Sequence, residues 1–420
     1  MRLLRQGTVS NKDMTKTRYN KVSVIGMGYI GLPTAAAMAG KGLTVLGCDI
    51  NPEVVETINR GEIHIIEPDL DQLVKEVVSA CRLKVFLEPQ EADVYMIVVP
   101  TPFKFNREPD ISFVEQAVRS ILSKLKAGDL VIIESTSPVL TTEKMANIIF
   151  TSRPELKGVL HITYCPERVL PGKVLYELEH NDRVIGGLDE ASTKAAMDFY
   201  SIFVKGKLHA TNARTAEMCK LVENSSRDVQ IAFANELSII CDNAGVDVWE
   251  LITLANKHPR VNILQPGCGV GGHCIAVDPW FIVSDYPEHA HVIKQAREIN
   301  DYKAKWCVKK ILKTAHDFEL ENGRQPVIAC MGLAFKPDID DLRESPAKYI
   351  ASRVVSDTRG EVLICEPNID THSSFTLADP KEAYKKADIV AWLVKHSAFK
   401  SIQPEEGKIE LDFCGINSKF

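Results

Sequence analysis

Apolar residues fall into short, strand-length runs that break at glycines or at Thr/Ser/Pro loops, give way to one long helical stripe, and then return. Lys21 to Ile25 runs directly into Gly26-Met-Gly-Tyr-Ile-Gly31, followed by an Ala-rich, helix-prone stretch ending near Gly40. Leu43 to Cys48 stops at Asp49. Val94 to Val99 ends in Pro100-Thr-Pro102, Leu130 to Glu134 ends in Ser135-Thr-Ser-Pro138, and Val159 to Thr163 is a further short strand. Continuous apolar strands of this kind are buried on both faces and belong to a parallel sheet. Val327 to Met331, Val362 to Cys365, Asp388 to Val394 and Leu411 to Cys414 repeat the pattern towards the C-terminus, with Asp388 to Val394 resembling Asp93 to Val99.

Between the two strand-rich parts, Thr211 or Asn212 caps a run without Gly or Pro that continues to Asn243 and ends at Gly245. Such a helix is roughly 45 Å long at its rise per residue, enough to join two domains and expose a dimer face. Asp247 then caps a shorter helix that Pro259 stops. The expected architecture is α/β: two Rossmann-like doubly wound domains joined by a long central helix and a helical dimerisation region. Its expected divisions are a flexible extension over 1–20, a dinucleotide-binding domain over 21–210, a central helical domain with the catalytic loop over 211–310, and a second Rossmann-like domain over 311–420.

The first glycine run carries the most specific chemistry. A strand before GxGxxG, a helix after it, and Asp49 eighteen residues beyond Gly31 form a βαβ dinucleotide fingerprint. Backbone groups of Gly28, Tyr29 and Ile30 should meet a pyrophosphate at the helix N-terminus. Asp49 should take the ribose hydroxyls and repel a 2′-phosphate, which selects NAD over NADP. The C-terminal counterpart, Gly332-Leu-Ala-Phe-Lys336, has lost that spacing. It should hold something nucleotide-like other than NAD.

Composition narrows the class. A net charge of −6 without a basic stripe argues against nucleic-acid or membrane-surface binding. No apolar run spans a bilayer, and the polar first twenty residues lack a signal-peptide core. Eleven scattered cysteines without a CxxC pair suggest a cytoplasmic enzyme with buried thiols and one reactive thiol, and no metal site.

That reactive thiol is expected in the glycine-dense loop Gly267-Cys-Gly-Val-Gly-Gly-His-Cys-Ile-Ala-Val-Asp278, which presents Cys274 and, four residues on, Asp278. A thiol suits attack on a carbonyl. On the long helix, Lys220, Asn224 and Arg227 share one face. A solvated polar stripe is the plainer reading of such a triplet, but the apolar residues around it favour a cleft or interface. Tyr164-Cys-Pro-Glu-Arg-Val-Leu-Pro-Gly172 places Glu167 at the tip of a rigid loop, or is a surface turn. His258-Pro-Arg-Val-Asn262 offers an imidazole and a guanidinium. Phe335, Lys336 and Arg343 follow a strand where the second nucleotide-like ligand should lie, although Arg343 could equally make a surface salt bridge.

Taken together, these segments resemble the UDP-glucose/GDP-mannose 6-dehydrogenase family from Val22 to about Cys414. The residues that carry the resemblance are Ser23-Val-Ile-Gly-Met-Gly-Tyr-Ile-Gly-Leu-Pro33, Val99-Pro-Thr-Pro-Phe103, Glu134-Ser-Thr-Ser-Pro138, Cys165 to Gly172, Ala216 to Leu221, His258 to Asn262, Gly269 to Cys274, Val277 to Trp280 and Ala334 to Lys336. The histidine and cysteine segments look like the branch that handles N-acetylated sugars. The resemblance implies oxidation of a UDP-N-acetylhexosamine at C6 to a carboxylate in two hydride transfers, with the manno configuration at C2 expected and the gluco epimer as the alternative. Cys274 would carry a thiohemiacetal and then a thioester. Lys220 would help deprotonate the alcohol and hold the oxyanion with Asp278 as its partner, Glu167 would activate water, and Thr136 and Asn224 would orient water or oxyanion.

By the same resemblance, Thr101, Thr136 and Arg343 join Gly28, Tyr29, Ile30 and Asp49 around NAD. Arg168, Val169, Lys220, Asn224, Arg227, His258, Arg260, Gly271, Phe335 and Lys336 would meet the UDP-sugar. A homodimer through the central helix is expected. A two-electron dehydrogenase of the 6-phosphogluconate type would have no use for Cys274 or for the C-terminal half. Cys268, six residues before Cys274, is expected to form an inhibitory disulfide with it under oxidation.

Overall fold

The computed structural model describes residues 19–104, 107–170, 172–272 and 274–419. The chain divides into two compact units, one made of Met1–Thr101 and Ile111–Glu217, the other of Pro102–Asp110 and Met218–Phe420. The expected extension over 1–20 lies outside the described residues except for its last two. Of these, Tyr19 is already core, buried with its ring edge-on to Phe199 at 6.2 Å.

The first unit is built on an eight-stranded sheet in the order β3-β2-β1-β4-β5-β6-β7-β8. The strands are β1 (Lys21–Ile25), β2 (Thr44–Cys48), β3 (Leu83–Phe86), β4 (Val94–Ile97), β5 (Leu130–Ile133), β6 (His161–Tyr164), β7 (Arg183–Gly187) and β8 (Leu208–Asn212). All neighbours are parallel except β6 and β7. β4 and β5 are buried at every position, as their unbroken apolar sequences require. Strand order reverses between β1 and β4, so the crevice at their carboxyl ends is the ligand position of this topology.

Three strands escaped the sequence pattern, each for a local reason. β3 is a short alternating segment, β7 opens on a buried arginine, and β8 is a largely exposed edge strand without an apolar face. β6 begins at His161, two residues later than its apolar run suggested.

The unit boundary falls within the 32-residue helix Ala213–Ala244. Asn212 caps it by accepting from the Thr215 N–H at 3.0 Å, and Gly245 leaves it at φ 68°. In the second unit a second 32-residue helix, His291–Asn322, precedes a four-stranded parallel sheet in the order β10-β9-β11-β12. Its strands are β9 (Ile328–Met331), β10 (Val362–Cys365), β11 (Ile389–Trp392) and β12 (Ile409–Asp412). The sequence reading left His291–Asn322 unassigned, because its apolar positions are sparse among charged ones.

The two long helices meet through buried polar groups. Arg297 donates to Asp228 at 2.7 Å, and Asn300 donates to the same carboxylate oxygen at 2.8 Å. Asn300 Oδ1 accepts from Asn235 at 2.8 Å, and Asn235 Oδ1 accepts from the Gly267 N–H at 2.8 Å. The relay ends on the first residue of the cysteine loop. Among the described residues, no helix is long and apolar enough to cross a membrane.

Candidate active site

The second unit gathers the cysteine group. At Gly269, Gly271 and Gly272 the loop passes so close to its neighbours that side chains are excluded. A Cβ on Gly271 would lie 2.6 Å from the Glu344 carbonyl oxygen and 2.7 Å from Phe335 Cβ. One on Gly272, at φ +82°, would meet the Phe335 ring at 2.9 Å. The Gly272 N–H also donates to the Arg343 carbonyl at 3.0 Å. Phe335, expected to touch the nucleotide-sugar, therefore also packs on the catalytic loop. The glycines serve close packing against the C-terminal sheet more than flexibility.

Cys274 closes a helical turn, its carbonyl accepting from the Asp278 N–H at 2.8 Å, which leads into the helix Asp278–Asp285. Burial raises the Cys274 thiol to about 11, and the neighbouring Asp278 charge adds to this. Lys220 and Arg343 oppose it. Burial also raises Asp278 to about 6, against the pull of Lys220 and a 2.6 Å hydrogen bond from Asn224. The chain thus brings Lys220, Asn224, Cys274 and Asp278 together, with Arg343 within electrostatic reach. Arg227 on the same helix is exposed, as are His258 and Arg260, which are joined by a local hydrogen bond from the Arg260 N–H to His258 Nδ1 at 3.3 Å. Lys336 is exposed beyond β9, and Arg343 pairs with Asp341 at 2.7 Å.

Cys268 corrects an expectation. Its thiol is buried in the C-terminal core, donates to the Leu393 carbonyl at 3.3 Å and faces Cys307. Cys274 instead faces Asp278, Lys220 and Arg343. Apolar packing against the helix His291–Asn322 and the sheet turns Cys268 inward towards Cys307, and not towards Cys274 as the closeness of the two in sequence suggests.

The first unit supplies a dinucleotide cradle. A Cβ on Gly31 would collide with the Gly26 carbonyl, whereas Gly28 has open space around it. The helix Gly31–Gly40 starts without a capping side chain or an acid in its first turn, which leaves its positive end for a pyrophosphate. Asp49 is half-buried at the end of β2 and is oriented by the N–H groups of Met27 and Asn51, both at 2.9 Å. These residues fit NAD. In the second unit the corresponding acid, Glu366 at the end of β10, is consumed by its own loop. It accepts from Leu333 and Ala334 N–H at 2.7 and 2.9 Å and from His396 at 3.1 Å. Burial works against its ionisation, but these bonds overcome it and hold Glu366 at about 2. No carboxylate oxygen is left to serve a ribose as Asp49 can.

Thr101 follows β4, and Thr136 follows β5 in a loop held by buried Glu217, which accepts from the N–H groups of Leu140 and Thr142 at 2.7 Å. Tyr29 donates to Glu67 at 3.1 Å. Glu67 also accepts from the N–H groups of Gly172 and Val174, at 2.9 and 2.8 Å, and so braces the loop of Glu167, Arg168 and Val169. Glu167 is buried against Arg183 at 3.1 Å. The sequence reading missed Glu67, Glu217, Glu134 and Arg183. For Glu134 and Arg183 the available signal was a charged residue at the end of an otherwise buried strand, where charge survives only when paired; Glu67 and Glu217 stand among exposed or mixed positions and carried no such signal.

A dinucleotide cradle in one unit, and in the other a half-buried thiol with a lysine and an acid, define an NAD-dependent dehydrogenase. The chain belongs to the UDP-glucose/GDP-mannose dehydrogenase family. Family models match its NAD binding domain at residues 20–204, its central domain at 214–302 and its UDP binding domain at 329–413. It is 53% identical to a UDP-N-acetyl-D-mannosamine dehydrogenase of Yersinia pestis, over 93% of this chain and 97% of that protein. It is 50% identical to an NDP-N-acetyl-D-galactosaminuronic acid dehydrogenase of Ralstonia nicotianae, over 95% and 96% of the two chains. The solved UDP-D-ManNAc dehydrogenase of Pyrococcus horikoshii superposes with a TM-score of 0.85 at 37% identity, covering 94% of this chain and 99% of that one.

The Asp278 shift sets a pH dependence. Its carboxyl titrates near 6 when folded, so the ionised form that pairs with Lys220 is lost as pH falls through 6. The turnover rate is expected to drop on that acid side. Asp278→Asn should cut kcat about 100-fold, the scale of a lost general acid or base, and flatten this limb. A limb near 6 that persists in the variant assigns the titration to another group.

Proposed function

We propose that this chain oxidises C6 of UDP-N-acetyl-D-mannosamine to the carboxylate of UDP-N-acetyl-D-mannosaminuronate, consuming two NAD per sugar. The observation that carries the reading is Cys274 set beside Lys220, Asn224 and Asp278, in a chain 53% identical to an enzyme of that name. NAD, when bound, accepts a hydride from C6 in each oxidation. Gly28, Tyr29, Ile30, Asp49, Thr101, Thr136 and Arg343 are assigned to holding it.

Lys220, paired with Asp278, takes the proton of the C6 hydroxyl. The resulting aldehyde is captured as the Cys274 sulfur bonds to C6. As sulfur adds, Lys220 gives the carbonyl oxygen the proton it took from the C6 hydroxyl and accepts the thiol proton in its place, so the thiohemiacetal forms without net charge. A thiol held at about 11 needs this concerted proton transfer, since few thiolates stand ready at neutral pH. After the second oxidation C6 is a thioester. Glu167 draws a proton from water, the water oxygen bonds to C6, and the C–S bond breaks as that proton passes to sulfur, which restores the thiol and leaves the C6 acid to ionise. Thr136 and Asn224 orient water and oxyanion. Arg168, Val169, Arg227, His258, Arg260, Gly271, Phe335 and Lys336 are assigned to the nucleotide-sugar.

The Ralstonia relative motivates a second reading, a galacto-configured N-acetylhexosamine. The gluco epimer at C2 is the remaining alternative. Wild type should yield two NADH per molecule of UDP-N-acetyl-D-mannosamine, faster than from the UDP-activated N-acetyl-gluco or -galacto sugar, and Cys274→Ala should stall before the second. One NADH per sugar from wild type, or no turnover of any of the three, contradicts the reading.

The reading extends to a homodimer in the cytoplasm. Phe233, Ile240, Val292 and Leu320 are 55%, 56%, 69% and 70% exposed on the two long helices, and Val229, Phe233, Val292 and Ile299 line a groove there. Exposed apolar area of this kind favours a partner surface. Sedimentation should give twice the chain mass, and Phe233→Glu the single mass. A monomeric wild type rules the dimer out.

A further inference from the structure

Beneath Glu167 the first unit buries a ladder of polar groups from several elements. Tyr200, at the end of the helix Glu190–Tyr200, donates to Glu134 Oε1 at 2.6 Å. Arg183 on β7 stands with Nη1 3.6 Å from Glu134 and 3.1 Å from Glu167. Glu167 is further held by the Arg168 N–H at 2.5 Å. Cys165, after β6, is buried beside the same charges. Glu134 and Arg183 are both essentially excluded from solvent, at 2% exposure each.

A packing role alone leaves features of this cluster unexplained. Glu134 Oε2 and Arg183 Nε are buried without a hydrogen-bond partner among the described residues. A network built for stability satisfies such atoms, and under-satisfied ones mark places where another requirement competes. One guanidinium also faces two carboxylates, so the pair cannot both ionise cheaply.

We propose that Glu134 is a positioning residue for Glu167, acting through the Arg183 guanidinium they share to set how strongly the water-activating carboxylate is held. This rests on the assignment of Glu167 to thioester hydrolysis. When Glu134 carries a proton, Arg183 belongs to Glu167 alone and ties down its Oε2. When Glu134 ionises, Arg183 is divided between two anions, and Glu167 becomes the better base. Burial, reinforced by Glu167 and opposed by Arg183 and by the Tyr200 hydrogen bond, raises Glu134 to about 7. The exchange therefore falls in the working pH range. Arg183, Glu167, Tyr200 and Cys165 are the titratable and charged groups facing it, from β7, the loop after β6, and the helix Glu190–Tyr200.

The test follows NADH formation by stopped flow with UDP-N-acetyl-D-mannosamine and NAD between pH 6 and 9, separating the initial oxidations from the later, hydrolysis-limited phase. Thermal melting serves as the folding control. Glu134→Gln should keep the initial phase, slow the later phase at pH 8 roughly tenfold, the equivalent of one pKa unit, and lose its rise through pH 7. Glu167→Gln should show the initial phase and then stop. If Glu167→Gln stalls while Glu134→Gln keeps the wild-type later phase and profile, the proposal is overturned and the role of Glu167 stands. If Glu167→Gln turns over like wild type, the underlying assignment fails as well. Should Glu134→Gln not fold, Tyr200→Phe decides. Loss of the donor to Glu134 should move the midpoint upward, and an unmoved midpoint overturns the proposal.

Discussion

The active cysteine depends on a buried ion pair in which it takes no direct part. Asp228 and Arg297 are almost wholly buried at 2.7 Å and fix two long helices side by side. Asn300 and Asn235 carry that registration to the Gly267 N–H, where the cysteine loop begins. Removing one partner of such a pair costs about 3–5 kcal/mol, because the other charge stays buried and uncompensated. The loop is thus anchored at its start by amide hydrogen bonds and further along by contact with Phe335 and Glu344, with no room for a side chain at Gly271. The covalent mechanism proposed for Cys274 requires this. The thiol must stay in place while its partner atom passes from aldehyde to acyl group, and preorganised groups avoid reorganising at each step.

The electrostatics follow from the same burial. Low solvent access raises both Cys274 and Asp278, and Lys220 moderates both. A freely ionised thiolate would be trapped by the lysine, and a fully solvated aspartate would be a weak base. Burial thus keeps the thiol protonated at neutral pH, at about 11, while the Asp278 carboxyl beside it, at about 6, is largely ionised. In the first unit, two carboxylates sharing Arg183 follow the same logic.

Much of this was legible in the sequence. GxGxxG followed by Asp49 reports backbone geometry, and backbone geometry is what a dinucleotide site requires. Cys274 and Asp278 sit one turn apart in sequence, so their meeting needed no tertiary knowledge. Lys220 and Asn224 were placed by helical periodicity. What escaped depends on contacts between distant segments. Arg183 opens a strand, and nothing local reveals that Glu134 and Glu167 flank it. Cys268 looked like a partner for Cys274 because the two are close in the chain, yet packing points its thiol towards Cys307 and Leu393. The second glycine loop was read as unsuited to NAD from its spacing. The structure adds a further reason, the complete engagement of Glu366.

The central claim is that the sugar carbon becomes covalently bound to Cys274 during turnover. Wild-type enzyme mixed with UDP-N-acetyl-D-mannosamine and NAD, quenched in acid within one turnover and mapped by peptide mass spectrometry, reads this directly. The account predicts the mass of the nucleotide-sugar acyl group, or of its acid-trimmed remnant, on the Cys274 peptide. An adduct on any other residue, or none at any quench time while NADH accumulates, would contradict it.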